Sequence, residues 1–165
     1  MYQYSYNTVI GKIYIAEKDN CICNVSFVNL NYTPKETPLI KKTYSQLKEY
    51  FAGNRKSFDI PISANGTEFQ IKVWKELQKI PYGKTATYKE IAENIGNKNA
   101  SRAVGMANNK NPIAIIIPCH RVIGSNGNLT GYAGGINIKK ILLNLEKQTL
   151  KNNIFNLWFL LVIFV

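Results

Sequence analysis

The 165-residue sequence predicts an α+β chain. A small N-terminal α/β unit, strands plus one helix, precedes a winged helix-turn-helix-like domain that carries a reactive centre. Three observations predict this. Residues 1–28 alternate apolar and polar side chains with the period of strands. From residue 67 the period lengthens to that of helices, twice introduced by a capping-box signature. Near residue 117 an apolar run ends in Pro118-Cys119-His120-Arg121, where a thiol, the chain's single imidazole and a guanidinium adjoin.

Taken in order, Tyr2, Tyr4 and Tyr6 alternate, as do Ile13 and Ile15. Asp19-Asn20 makes a turn, and Cys21, Cys23, Val25 and Phe27 alternate again. The spacing of Cys21 and Cys23 puts both thiols on one sheet face, where they read as small core residues. After a loop containing Pro34 and Pro38, Ile40, Tyr44, Leu47 and Phe51 recur at helical spacing until Gly53. Phe58–Pro61 is a last extended piece. Small polar residues at 63–66 mark a boundary between residues 1–63 and 64–150.

Thr67-x-x-Gln70 opens a helix with Phe69, Val73, Leu77 and Ile80 on its apolar side, ended by Pro81-Tyr82-Gly83. Thr87-x-x-Glu90 opens a second helix from Tyr88 to Ile95. Gly96 closes it, and Asn99 is placed to cap a third from Ala100 to Asn109. Two short helices joined by a tight turn with glycine form the helix-turn-helix pattern. Asn111-Pro112 leads into Ile113–Ile117, expected to be a buried strand, and Pro118 ends regular pairing. Beyond a turn at 124–127 and a glycine-rich loop at 129–135, Ile138, Ile141, Leu142 and Leu145 mark a final helix with Glu146 at its end. Residues 151–165 form a tail that is almost wholly apolar from Ile154. It is shorter than the ~20 residues a bilayer span needs. Packing on the protein surface, association, or an extension of the reading frame are the roles open to it; membrane contact is not expected.

The chain carries a net charge of +11, of which +3 falls in residues 1–63 and +8 after them. Such an excess suits a polyanion or an anionic membrane surface, and its position favours a partner for the second half. Three cysteines supply no disulfide framework and indicate a reducing compartment. With one distant histidine, a four-ligand zinc site is not expected. The N-terminus lacks the basic and apolar regions of a signal peptide, so none is expected and the expected location is the cytoplasm.

Cys119 is the candidate nucleophile, and a thiol reacts only as thiolate, so it needs a base or a positive field. His120 is the candidate base, although neighbours on an extended backbone point to opposite faces. Contact between them requires a turn at Pro118–Cys119 or a bridging water. Glu146 is the acidic residue best placed to orient the imidazole. Arg121 either lowers the thiol pKa or sits in a salt bridge. In the helix from Ala100, the small residues Ala103, Gly105 and Ala107 flank Arg102. They either pack tightly against a neighbour or let the backbone approach a ligand such as a duplex groove.

The stretches Asn111-Pro112, Ile117–Gly124, Gly131–Gly135 and Leu142–Glu146 resemble the methylated-DNA–protein-cysteine methyltransferases, the O6-alkylguanine-DNA alkyltransferases. So do Phe69-Gln70, Val73-Trp74, Ile80–Thr85, Thr87-Tyr88 and Arg102–Gly105. The resemblance spans about Gly66 to Glu146; the first third fits loosely as that family's variable α/β domain. It implies direct-reversal DNA repair, in which Cys119 accepts the alkyl group of O6-alkylguanine in duplex DNA once and irreversibly. It further implies minor-groove docking, with the damaged base flipped out and Arg102 entering the stack. Tyr88 would help displace the phosphate, and Ala103, Gly105 and Arg121 would join the DNA contacts. His120 would deprotonate Cys119 through a water, Glu146 would hold the imidazole, Tyr132 would donate to the leaving base, and Asn111 would brace the turn. No cofactor and no metal are implied, and the protein would act as a monomer without an obligate protein partner. Two other readings compete: a sensor of the same fold that binds alkylated DNA without repairing it, and a Cys-His hydrolase. The sensor relatives carry another residue at the position of Cys119, and nothing in the sequence points to a thioester or peptide substrate.

Overall fold

The computed structural model describes the backbone of residues 1–163 and the side chains of residues 1–152. Strands β1 (Tyr2–Thr8), β2 (Gly11–Lys18) and β3 (Cys21–Ser26) form an antiparallel meander. A short β4 (Thr33–Pro34), within the expected loop, lies parallel to β1 and completes the order β3-β2-β1-β4. Asp19 and Asn20 take φ of 51° and 59°, the conformation that a tight hairpin between twisted strands demands. Helix α1 (Pro38–Phe51) begins at Thr37, whose hydroxyl accepts from the Ile40 N–H. It lies across β2, and Ile40, Leu47 and Tyr50 are buried together with Ile13 and Ile15.

The two N-terminal cysteines do not sit where strict alternation puts them. Glu17 pairs with Ile22 but Ala16 pairs with Asn24, so Cys23 is an extra residue in β3. Such a bulge breaks the two-residue period. Ile22 and Val25 are the core residues of this strand, and both cysteines are only half-buried.

The second half contains α2 (Glu68–Leu77), β5 (Ala86–Thr87), α3 (Tyr88–Asn94), α4 (Ser101–Asn109), β6 (Val122–Ile123) and α5 (Ile136–Ile163). Both capping boxes form as expected, Thr67 with Gln70 and Thr87 with Glu90. Asn99 does not cap α4; a turn closed by the Ala100 N–H on the Asn97 carbonyl leads in, and Ala100 takes the cap position. The Trp74 indole donates to the Ala107 carbonyl at 2.9 Å and fastens α2 to α4, while β5 and β6 pair in parallel. Helix α5 does not stop at Glu146. No Gly or Pro occurs from Ile136 to Ile163, so nothing breaks it, and position 150 falls inside the helix. The role expected of the side chains at 154–165 lies outside the described residues. Among the described residues no helix is long and apolar enough to cross a membrane.

The boundary at 63–66 separates two patterns but not two cores. The outer edge of β3 pairs with both halves: the Ile22 N–H donates to the Pro61 carbonyl at 2.8 Å, and the Val25 N–H to the Pro112 carbonyl at 2.9 Å. One apolar cluster runs from Ile13 and Ile22 through Leu77 to Val122 and Leu142.

Candidate active site

The run Ile113–Ile117 is buried as expected apart from half-buried Ile116, but it makes only isolated bridges and no strand. Ile115 has φ 73°, and across it the Ile116 N–H donates to the Ala114 carbonyl at 2.9 Å, a γ-turn of the strained hand. A second γ-turn follows across Pro118 (φ −81°, ψ 58°), with the Cys119 N–H on the Ile117 carbonyl at 2.8 Å. A 3₁₀ turn over Cys119–Arg121 then presents thiol, imidazole and guanidinium. The Val25 carbonyl of β3 accepts from the Ala114 N–H at 3.1 Å, and Asn111 ties the two ends of the run together. Its Oδ1 accepts from the Ile113 N–H at 3.0 Å and its Nδ2 donates to the Ile117 carbonyl at 2.8 Å.

The same Asn111 Nδ2 lies 3.0 Å from Cys119 Sγ. Cys119 is 2% exposed. Burial pushes its thiol up to about 11, although the Asn111 amide and the Lys139 ammonium favour the thiolate. Burial thus favours the protonated thiol at neutral pH, and a base beside it would favour reaction. His120 is fully buried, and burial holds its imidazole below the usual range, hence neutral near pH 7. Nε2 lies 2.9 Å from Glu146 Oε1 and 3.4 Å from the Tyr50 hydroxyl; Nδ1 has no partner among the described residues. A nitrogen facing a carboxylate carries the proton, which leaves Nδ1 as the basic atom.

Glu146 is the centre of this network. Oε1 accepts from His120 Nε2, from the Tyr50 hydroxyl at 2.8 Å and from Arg121 Nη2 at 2.9 Å. Oε2 accepts from Arg121 Nε at 3.0 Å and from the Gly83 N–H at 2.7 Å. Burial alone would raise this carboxyl, but the donors of His120 and Arg121 outweigh it and hold it at about 2. Arg121 is 7% exposed, donates from Nη1 to the Ile80 carbonyl at 2.8 Å, and lies over the Tyr82 ring. The geometry thus corrects its expected place among surface DNA contacts: its donors are committed to Glu146 and the backbone.

Beside this buried relay opens a cleft of about 460 Å³ lined by Tyr88, Lys89, Ser101, Arg102, Gly105, Ser125, Thr130 and Gly131. Tyr132 is buried; its ring meets Phe27 edge-on and its hydroxyl has no partner among the described residues. Lys139 is fully buried, with Nζ 2.7 Å from the Thr130 carbonyl and 3.5 Å from the Tyr88 hydroxyl. Burial brings its ammonium down to about 8, against the nearby Cys119, which favours the charged form.

Residues 68–148 match the model of the 6-O-methylguanine DNA methyltransferase DNA binding domain, and residues 1–64 that of its ribonuclease-like domain. A methylated-DNA–protein-cysteine methyltransferase of Methanosarcina acetivorans is 51% identical over 154 residues, covering 88% of this chain and 98% of the relative. The chain belongs to the methylated-DNA–protein-cysteine methyltransferase family. A relative of the same name from Mycolicibacterium paratuberculosis is 47% identical, covering 87% of this chain and 92% of its own. The crystal structure of Mycobacterium tuberculosis OGT in complex with DNA superposes with a TM-score of 0.84 at 45% identity, covering 90% of this chain and 94% of that one.

In this methyltransferase the buried Asn111 lies against Cys119 and the buried His120 against Glu146, two pairs joined along the chain by the Cys119–Arg121 turn. Tyr88, Arg102 and Gly105 line the open cleft, and Ala103 is exposed on α4. Three contributors escape sequence reasoning. Tyr50 is not among the helically spaced Ile40, Tyr44, Leu47 and Phe51 that the sequence singles out, and Gly83 acts through its backbone. Lys139 had a signal, since it precedes Glu146 by seven residues and shares its helical face with the buried Leu142.

Proposed function

We propose that this chain repairs alkylated DNA by direct reversal, moving the alkyl group of O6-alkylguanine in a duplex to Cys119 Sγ. The observation that carries the reading is a buried Cys119 on one turn with an imidazole whose Nε2 is held by Glu146 and whose Nδ1 has no partner among the described residues. In the reaction His120 Nδ1 takes the thiol proton, through a water. Sulfur attacks the alkyl carbon as the carbon–O6 bond breaks, and the electron pair leaves with guanine. Tyr132 donates its hydroxyl proton to the departing base, and the proton held by His120 restores the balance. Thiol plus O6-alkylguanine give thioether plus guanine, with no redox change. A thioether offers no leaving group that the site could expel, so each molecule reacts once.

Arg102 and Tyr88 are the residues we assign to the extruded base and its phosphate, with Ala103 and Gly105 giving α4 a surface that a groove can approach closely. All the reacting groups come from one chain, which supports a monomer, and a reduced Cys119 fits the cytoplasm. The test is a duplex carrying one O6-methylguanine with a labelled methyl group. Label on protein should plateau at one equivalent and vanish in Cys119→Ala. Turnover past one equivalent, or transfer that survives the substitution, overturns the reading; duplex binding with no label on protein would indicate a sensor.

A further inference from the structure

The N-terminal unit meets Tyr132 through the Phe27 ring, and the Glu146–His120 pair through the Tyr50 hydroxyl. Tyr50 lies near the end of α1, is fully buried, and stands within 6 Å, centroid to centroid, of the rings of Phe51, Phe58 and Tyr82. Its hydroxyl donates to Glu146 Oε1 at 2.8 Å and lies 3.4 Å from His120 Nε2. We infer that Tyr50 is a positioning residue for alkyl transfer: its hydroxyl aims the Glu146 carboxylate at His120, so that α1 completes the proton relay.

The terminal torsion of a glutamate is soft, and its carboxylate plane turns until its donors are met. Arg121 and Gly83 hold Oε2, and Arg121 also reaches Oε1. Tyr50 approaches Oε1 from a separate element and pins that oxygen beside the imidazole. Its one hydroxyl proton is committed to Glu146, so the oxygen it shows to Nε2 can only accept. Nε2 then faces two acceptors, which places the imidazole proton there and keeps Nδ1 bare for the thiol. The other charges around the ring are Arg121 on its own turn and Lys139 on α5, neither of which offers an acceptor.

This inference rests on His120 being the base, and it has a readout independent of repair. The chain has one histidine, so the buried Nε2–H should give a single far-downfield proton signal. In the wild-type protein that signal should show cross-relaxation to the Tyr50 ring protons. Tyr50→Phe keeps the ring packed and removes only the hydroxyl. It should move the Nε2–H signal, speed its exchange with water, and slow methyl transfer about tenfold, the size expected for losing a hydrogen bond to a charged group. Duplex affinity should stay within twofold. An unmoved signal, or an unchanged transfer rate, overturns the inference. Failure of wild-type protein to label Cys119 would instead overturn the repair reading, while the histidine signal would still test Tyr50.

Discussion

The Arg121 guanidinium directs Nε and Nη2 to Glu146 and Nη1 to the Ile80 carbonyl, with 7% of its surface exposed. Its worth is therefore in folding. Arg121→Met leaves Glu146 as a buried carboxylate without its strong counter-charge, and a broken buried pair of this kind costs about 3–5 kcal/mol. Urea unfolding should show that loss, whereas the salt dependence of duplex binding, which counts phosphate contacts, should keep its slope. A slope reduced by about one unit would return Arg121 to the DNA interface. The sequence left salt bridge and thiol activation both open for this residue. Only burial and the position of Glu146 decide between them, and Glu146 lies 25 residues away.

Helix α3 owes its start to Thr87, whose hydroxyl accepts from the Glu90 N–H while the Glu90 carboxylate accepts from the Thr87 N–H. The next residue, Tyr88, donates to the Thr130 carbonyl at 2.9 Å and forms one wall of the cleft. Thr87→Ala should cost about 1 kcal/mol and slow repair of duplex more than reaction with free O6-alkylguanine. Equal slowing of both would detach the cap from DNA handling. At this scale the local grammar of the sequence succeeded: both capping boxes and the Asp19-Asn20 turn form where their residues stand, because their hydrogen bonds span only three or four residues. It failed where a side chain or an extra residue interrupts the regular ladder. An apolar run at 113–117 reads as a strand, yet Asn111 bonds both of its ends, Val25 takes the Ala114 N–H, and Ile115 turns at φ 73° between them. In β3 the bulge at Cys23 leaves no local mark and reassigns the core to Ile22 and Val25.

Across the whole molecule, burying one ion pair and one neutral histidine makes stability depend on acidity. Glu146 titrates at about 2 in the fold against about 4.5 in the open chain, so its contribution is present above about 4.5 and lost as the pH falls toward 2. His120 is depressed below 6.5 by burial; the unfolded chain takes up its proton first, and stability declines as the pH drops below 6.5. Both losses lie on the acid side. The midpoint of thermal unfolding should stay level from about pH 6.5 to 8 and fall steadily below. A midpoint that rose between pH 6.5 and 4 would contradict the neutral buried imidazole.

The same network has a consequence for the order in which the protein acquires its parts. Glu146 joins Tyr50 across 96 residues, Gly83 across 63 and His120 across 26. Contacts so far apart in the chain close late, since the entropy of the intervening loops must be overcome first. A ribosome-bound chain that has not yet released α5 holds Cys119 without Glu146 or Lys139, and so without the carboxylate that orients the base. Reactivity toward DNA thus arrives with the last helix, and an interrupted translation product carries the acceptor thiol but no means of using it.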